Sequence, residues 1–218
     1  MSAVTITTAL LVGIVIWILV VRRLTARSWD STAQGGDVGA INVAPTRIGL
    51  WIFLAVVTSL FALFLSAYSM RMHHGEWSHV ALPRILWLNT LLLVAASVAL
   101  QFARSATGRG RPGSVRNGLL AGGALTLAFL GGQLVAWQQL GDAGYFVQAS
   151  AATAFFYLLT TVHGLHLLGG LWVWGRTTGR LLGGAELIDL RLSVELCSEY
   201  WHYLLLVWIV VFAVLLYM

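Results

Sequence analysis

Six stretches, each with about 20 or more mostly apolar residues, limit the fold of this chain more than any other feature, because a helix needs about that number to cross a bilayer. The six stretches are 3–21, 48–70, 84–103, 118–139, 149–175 and 194–217. Charged residues make up only 10% of the 218 positions, well below the share in a soluble domain. The sequence therefore predicts an all-α, polytopic membrane protein with six transmembrane helices.

The predicted spans divide into one N-terminal helix and a group of five. Residues 1–23 form the N-terminal transmembrane helix, and residues 47–218 form the five-helix domain. Between them, residues 24–46 are rich in Gly, Ser, Thr and Asp, which predicts a cytoplasmic linker. Because basic residues follow the first span and none precedes it, we expect a retained anchor there and not a cleaved signal peptide.

The arginines predict the orientation of the chain. All thirteen basic residues are arginines, and alternate loops hold eleven of them: Arg22, Arg23, Arg27, Arg47, Arg104, Arg109, Arg111, Arg116, Arg176, Arg180 and Arg191. The opposite side has only Arg71 and Arg84. The positive-inside rule places the arginine-rich loops in the cytoplasm and both termini outside. The arginines that give the net charge of +5 are therefore explained by the orientation of the chain in the membrane. We expect no nucleic-acid partner.

Small and aromatic residues indicate how the spans pack. Gly118 and Gly122 form a small-xxx-small pair, which predicts a close helix–helix approach. Five tryptophans lie near span ends: Trp51, Trp87, Trp137, Trp172 and Trp174. This position is typical of the aromatic belt at the membrane interface.

Titratable side chains inside the spans are the first functional candidates, because such groups are costly in lipid. They lie in the last two spans and are His163, His166, Glu195, Glu199 and His202. Spacings of three and four place the members of each span on one helix face. Since the two spans are antiparallel neighbours, we predict a polar cluster in the cytoplasmic half of the bilayer.

Several roles are open for this cluster. It can fix the packing of the two helices, collect protons through histidine, or anchor lipid headgroups. Further alternatives are ligation of a b-type haem by His166 and His202, or a metal site in the cluster. A separate outer loop holds His73, His74 and His79, which could bind copper or zinc. Because the spacing in that loop is no recognised ligand signature, we expect a solvated loop and no metal.

Three segments resemble the haem-copper terminal oxidase subunit III family. Residues 155–166 read FFYLLTTVHGLH and are similar to the family signature of aromatics followed by His-Gly-x-His. Residues 195–203 place a glutamate before Tyr-Trp-His-Tyr, and residues 88–93 read LNTLLL, again similar to the family. The resemblance covers residues 47–217 and implies the five-helix form of subunit III, here with one added N-terminal helix.

Three positions that are usually acidic in this family are apolar in this chain. They are Val57, Ala136 and Leu205. The differences indicate a divergent bacterial branch. The change at Val57 removes the carboxylate on which a proton-linked role in the family would depend.

The resemblance implies an accessory subunit that stabilises a catalytic subunit and has no catalytic residue or redox centre of its own. Haem and copper would reside in partners, the catalytic subunit I and the copper-bearing subunit II. The complex would oxidise cytochrome c, reduce O₂ to water and pump protons in the bacterial cytoplasmic membrane. The single cysteine, Cys197, agrees, because a dinuclear copper site needs a cysteine pair. The alternatives are a subunit III-like component of a nitric oxide reductase or quinol oxidase, or a b-haem membrane anchor.

The resemblance also implies phospholipid beside the second span. Arg47 and Trp51 lie four residues apart, on one helix face at the predicted cytoplasmic interface. A guanidinium group suits bidentate phosphate contacts. We therefore predict a lipid-headgroup site at Arg47 and Trp51, with the positive-inside rule and the aromatic belt as the alternative explanation.

Overall fold

A computed structural model describes residues 45–72 and 82–217, which form five α-helices. The helices are α1 (Pro45–Arg71), α2 (Ile85–Gly108), α3 (Pro112–Asp142), α4 (Ala151–Leu182) and α5 (Leu187–Leu215). Each is long and apolar enough to cross a membrane. For the described residues, which contain no β-strand, the all-α membrane prediction is confirmed. The predicted N-terminal helix, most of the linker and the segment 73–79 lie outside the described residues.

The helices are longer than the apolar stretches, so two predicted loops are wrong. The predicted loop 104–117 shrinks to residues 109–111, and the predicted loop 176–193 shrinks to residues 183–186. Helix α4 has 32 residues. At 1.5 Å per residue it is about 48 Å long, whereas the hydrocarbon core is about 30 Å thick. Hydropathy detects only the part in hydrocarbon, while helical hydrogen bonding continues through the charged residues beyond it.

Local signals explain where these helices begin and how they are joined. Pro112 occupies the first turn of α3, where its missing N–H is not needed. The Ser150 hydroxyl accepts from the Thr153 N–H at 3.2 Å, and the Thr153 hydroxyl accepts from the Ser150 N–H at 3.1 Å, which forms a capping box for α4. Gly110 (φ +65°) and Gly184 (φ +86°) supply the left-handed conformation that the two short connections require.

Helices α2, α3, α4 and α5 form a closed ring in which each packs against two neighbours, and α1 packs on the outside against α4 and α5. The contact between α2 and α3 depends on glycine. A Cβ atom on Gly118 would lie 2.8 Å from Ala103 Cβ and 2.9 Å from the Ala99 carbonyl oxygen. On Gly122 it would lie 2.7 Å from Leu100 Cγ. The predicted close approach at this pair is confirmed.

Tryptophan indoles join the helices of the ring. Trp201 Nε1 on α5 donates to Thr126 Oγ1 on α3 at 2.9 Å. Trp174 Nε1 on α4 donates to the Leu119 carbonyl on α3, also at 2.9 Å. An indole N–H that faces lipid or a dry core needs such an acceptor. Trp174 therefore connects two helices in addition to lying near a span end, and the belt interpretation missed this second role.

Candidate functional site

Oppositely charged side chains join α1, α2 and α5 at one end of the bundle. At this end α1 and α5 begin and α2 ends. Arg47, in the first turn of α1, places a guanidinium nitrogen 2.7 Å from Glu195 Oε2 and 3.4 Å from Glu199 Oε1, both on α5. Arg104, near the end of α2, lies 3.6 Å from the same Glu199 oxygen. These four residues and Arg191 are referred to below as the Arg–Glu cluster.

Helical spacing places the α5 members of the Arg–Glu cluster on one face. Arg191, Glu195 and Glu199 follow at steps of four. Arg191 Nε donates to Glu195 Oε1 at 3.1 Å, so Glu195 accepts from its own helix and from α1. The glutamate side chains are only 21% and 25% exposed. Because water screens them incompletely, these pairs attract more strongly than pairs on an open surface.

Hydroxyl groups continue the attachment of α1 to α5 towards the middle of the helices. The Tyr203 hydroxyl donates to the Leu54 carbonyl at 3.2 Å and lies 2.9 Å from the Thr58 hydroxyl. Helix α1 is also the least buried of the five described helices. Helix α1 is therefore attached through these polar contacts and through aromatic contacts such as Phe61 on His166.

The two candidate haem ligands, His166 and His202, turn their rings back onto their own helices. His166 Nδ1 lies 2.7 Å from the Val162 carbonyl, and His202 Nδ1 lies 2.6 Å from the Ser198 carbonyl. Because a carbonyl only accepts, Nδ1 is the protonated nitrogen in each ring. His166 packs against phenyl rings of α1, whereas His202 lines a different pocket. The two imidazoles do not face each other as a pair of axial ligands would.

His163 lies inside the ring of helices and is fully buried. Its ring centroid is 5.9 Å from that of Phe129 on α3 and 5.2 Å from that of Trp208 on α5. Within the described residues, neither of its ring nitrogens has a hydrogen-bond partner. His163 therefore packs as an aromatic side chain of the core, away from both glutamates.

The predicted group of histidines and glutamates thus divides in the structure. The glutamates bind arginines of α1, α2 and α5. His202 lines a pocket together with Glu199, whereas His163 lies in the core and His166 packs against α1. Sequence reasoning missed Arg104 and Arg191 as partners. The i,i+4 step to Glu195 could have identified Arg191. Arg104 carries no such signal, since its contact depends on how α2 packs against α5.

The predicted lipid site lies beside the Arg–Glu cluster. An open pocket of about 540 Å³ there is lined by Trp51, Gln101, Arg104, Glu199 and His202. Arg47 does not line it, because both glutamates hold its guanidinium group. The cluster contains three arginines and two glutamates, so one positive charge remains uncompensated within it. Lipid binding by Arg47 and Trp51 stays a prediction.

In the part of the chain that the structure describes, five long apolar helices with the Arg–Glu cluster at one end and indole hydrogen bonds inside define a multi-pass α-helical membrane protein. The sequence matches the family described as cytochrome c oxidase subunit III over residues 2–218. The chain therefore belongs to the cytochrome c oxidase subunit III family, and the resemblance carried by its motifs is confirmed.

Individual relatives agree with this family. Cytochrome c oxidase subunit 3 of Thermostichus vulcanus is 27% identical over 173 residues, which are 77% of this chain and 85% of the relative. Cytochrome bo(3) ubiquinol oxidase subunit 3 of Pseudomonas aeruginosa is 28% identical over 175 residues, which are 78% of this chain and 83% of the relative. Probable cytochrome c oxidase subunit 3 of Mycobacterium leprae is 29% identical over 197 residues, 84% and 92%. The chain is accordingly a subunit III-type protein of the haem-copper oxidases.

Proposed function

We propose that the chain is an accessory subunit of a bacterial haem-copper terminal oxidase, which stabilises the catalytic subunit and carries no redox centre of its own. The match to the subunit III family over residues 2–218 carries this proposal. Haem and copper reside in the partners, a catalytic subunit I and a copper-bearing subunit II. The complex oxidises cytochrome c, reduces O₂ to water and pumps protons.

The way the chain uses its polar groups supports a packing role. The arginines and glutamates of the cluster bind one another, and the indoles described above bind neighbouring helices. By contrast, α2 presents an apolar outer face in which Trp87 is 59%, Leu91 66% and Val98 63% exposed. Such a face suits contact with lipid or with helices of partner subunits.

A quinol-oxidising complex is the second candidate. The observation that favours it is the Pseudomonas aeruginosa relative, a ubiquinol oxidase subunit that is 28% identical to this chain, close to the 27% of the Thermostichus vulcanus cytochrome c oxidase subunit. The accessory role of this chain would be the same in both complexes, and only the electron donor would differ.

Phospholipid is the further ligand that we propose. The pocket beside the Arg–Glu cluster combines an indole with a guanidinium group, and the cluster has a surplus positive charge. A phosphate headgroup is complementary to that charge, and interfacial tryptophan suits the boundary between headgroup and acyl chain. Arg104 joins Arg47 and Trp51 as a candidate headgroup residue because it lines the pocket directly.

We expect the arginine-rich end of the bundle to lie in the cytoplasm and both termini to lie outside. Reporter fusions in the connections at Gly110 and Gly184 should therefore report the cytoplasm, and a fusion at Gly144 should report the outside. A fusion after Met218 should also report the outside. A cytoplasmic reading at Gly144 or at Met218 would overturn this orientation.

Deleting the gene for this chain should leave the oxidase able to reduce O₂ but less durable. An accessory subunit contributes packing and not chemistry, so we expect the haem spectrum of the remaining complex to persist. The initial rate per haem should stay within about twofold of wild type, a difference below about 0.5 kcal/mol, while activity during sustained turnover should fall faster. Immediate and complete loss of O₂ reduction in a complex that keeps its haems would show a direct role in the reaction.

A further inference from the structure

An apolar cavity lies between α1 and the α4–α5 pair, separate from the pocket beside the Arg–Glu cluster. Its volume is about 400 Å³, within the range of small-molecule sites. Gly169 and Gly170 of α4 line it, and a Cβ atom on Gly169 would meet no atom within 4 Å. Gly169 therefore leaves open space in this wall, whereas Gly170 allows Tyr200 of α5 to pack closely, since a Cβ atom there would lie 2.6 Å from the Tyr200 ring.

One side-chain nitrogen in this cavity remains available for a ligand. His166 lines the cavity, and its Nδ1–H donates to the Val162 carbonyl of its own helix at 2.7 Å. The opposite edge of the ring, with Nε2, therefore points away from the α4 backbone, and the ring centroid lies 6.2 Å from that of Phe53 and 5.7 Å from that of Phe61, both on α1. Described residues form no hydrogen bond to Nε2, which is an acceptor in the neutral ring. The Tyr200 hydroxyl is already engaged, since it donates to the His166 carbonyl at 2.9 Å.

The walls favour a flat ring that reaches the cavity from the bilayer. Aromatic side chains of Phe53, Tyr200 and Trp201 line it. Leu165 and Val173, also lining residues, are 60% and 52% exposed, so the cavity opens on the outer surface of the helices. A ring can lie against these aromatic side chains while a hydrophobic tail extends outward.

We infer that this cavity binds a membrane-soluble ring that carries a hydroxyl group, of the phenol or quinol class. The ligand hydroxyl donates to His166 Nε2, and the ring lies against Phe53 and Tyr200. A plain acyl chain fits the same walls but leaves Nε2 without a partner, which costs binding free energy at a half-buried site. The hydrogen bond is therefore what selects a hydroxylated ring over other lipophiles.

Photolabelling of the intact complex containing the full chain tests this inference. The probe is a short-tail benzoquinol with a diazirine in its tail, used under reducing conditions, and labelled peptides are mapped by mass spectrometry. We expect labelling of α4 and α5 around the cavity, with the unlabelled quinol competing about tenfold better than its dimethyl ether, which has no hydroxyl. Equal competition by the ether or by phospholipid alone, or no label on these helices, would overturn the inference.

Three variants of the complex locate the site. His166→Leu should weaken labelling of α4 and α5 about tenfold by removing the acceptor. Gly169→Phe should abolish the labelling by filling the cavity, although His166 itself is unchanged in this variant. The matched control is His202→Leu, which removes an imidazole with the same Nδ1-to-carbonyl geometry from a different pocket and should leave labelling unchanged. Unchanged labelling in both cavity variants, in complexes that retain the chain, would place the ligand elsewhere.

Discussion

Replacing Gly118 by leucine is expected to separate α2 from α3 and to remove most of the chain from the assembled complex. The new Cβ would lie 2.9 Å from the Ala99 carbonyl oxygen and 2.8 Å from Ala103 Cβ. Backbone atoms cannot move aside as a flexible side chain can, so the two helices must shift apart. Overpacking of this kind lowers the free energy of unfolding by about 3 kcal/mol. The amount of chain retained in the purified complex and its thermal unfolding midpoint measure the effect.

Gly131→Leu is the matched control on the same helix. Gly131 is exposed, and a Cβ atom there would meet nothing within 4 Å. Both variants add the same side chain to α3, but only the Gly118 variant places it in the α2–α3 interface. We expect the control to be retained like wild type, and an equal loss in both would mean that α3 tolerates no leucine for reasons unrelated to this interface.

Reversing the charge of Arg47 is expected to detach the beginning of α1 from α5. Arg47→Glu would bring a third carboxylate to Glu195 and Glu199, whose side chains are largely shielded from water. Breaking a partly buried ion pair and adding repulsion should lower the free energy of unfolding by about 2–3 kcal/mol. This is somewhat less than the loss for a fully buried pair. Limited proteolysis at the beginning of α1 and the unfolding midpoint of the complex both report this loss.

A second substitution separates charge pairing from general damage. Combining Arg47→Glu with Glu195→Arg restores an opposite-charge pair between α1 and α5 and should recover part of the lost stability. Arg116→Glu makes the same charge change at an exposed position at the same end of the bundle and should have little effect. If the double variant is no more stable than Arg47→Glu, the contact between these helices does not depend on this pair.

The sequence was sufficient to predict the helical membrane fold but not the lengths of the helices. Apolar stretches and the scarcity of charge reveal what lies in hydrocarbon, and the Gly118/Gly122 pair correctly indicated a close helix contact. The end of α2, the beginning of α3, the end of α4 and the beginning of α5 were missed by five to seven residues, because charged residues continue a helix outside the hydrocarbon without any hydropathy signal. Serine and threonine occur at many positions, so a residue such as Ser150 can be assigned as a helix cap only when the helix boundary is already known.

The candidate site shows a sharper limit of sequence reasoning. Helical spacing correctly placed Glu195 and Glu199 on one face of α5, yet it could not assign their partners. Arg47 and Arg104 come from helices that are distant in sequence, so their contacts follow from packing alone. His166 was grouped with the glutamates because the last two spans are antiparallel neighbours. That arrangement does not fix the direction of a side chain around the helix axis, and the His166 ring faces α1 instead.

The central claim is that the chain is an accessory subunit of a terminal oxidase and carries no haem. Affinity purification of the full chain tests it most directly. The purified material is characterised by a reduced-minus-oxidised visible spectrum and by identification of the co-purifying proteins. We predict a fixed-ratio complex with a haem-bearing oxidase subunit and a copper-bearing subunit. We also predict that when this chain is released by stronger detergent, the haem absorbance stays with the partner. A chain that purifies without an oxidase, or that keeps haem absorbance after release, would contradict an accessory role in a terminal oxidase.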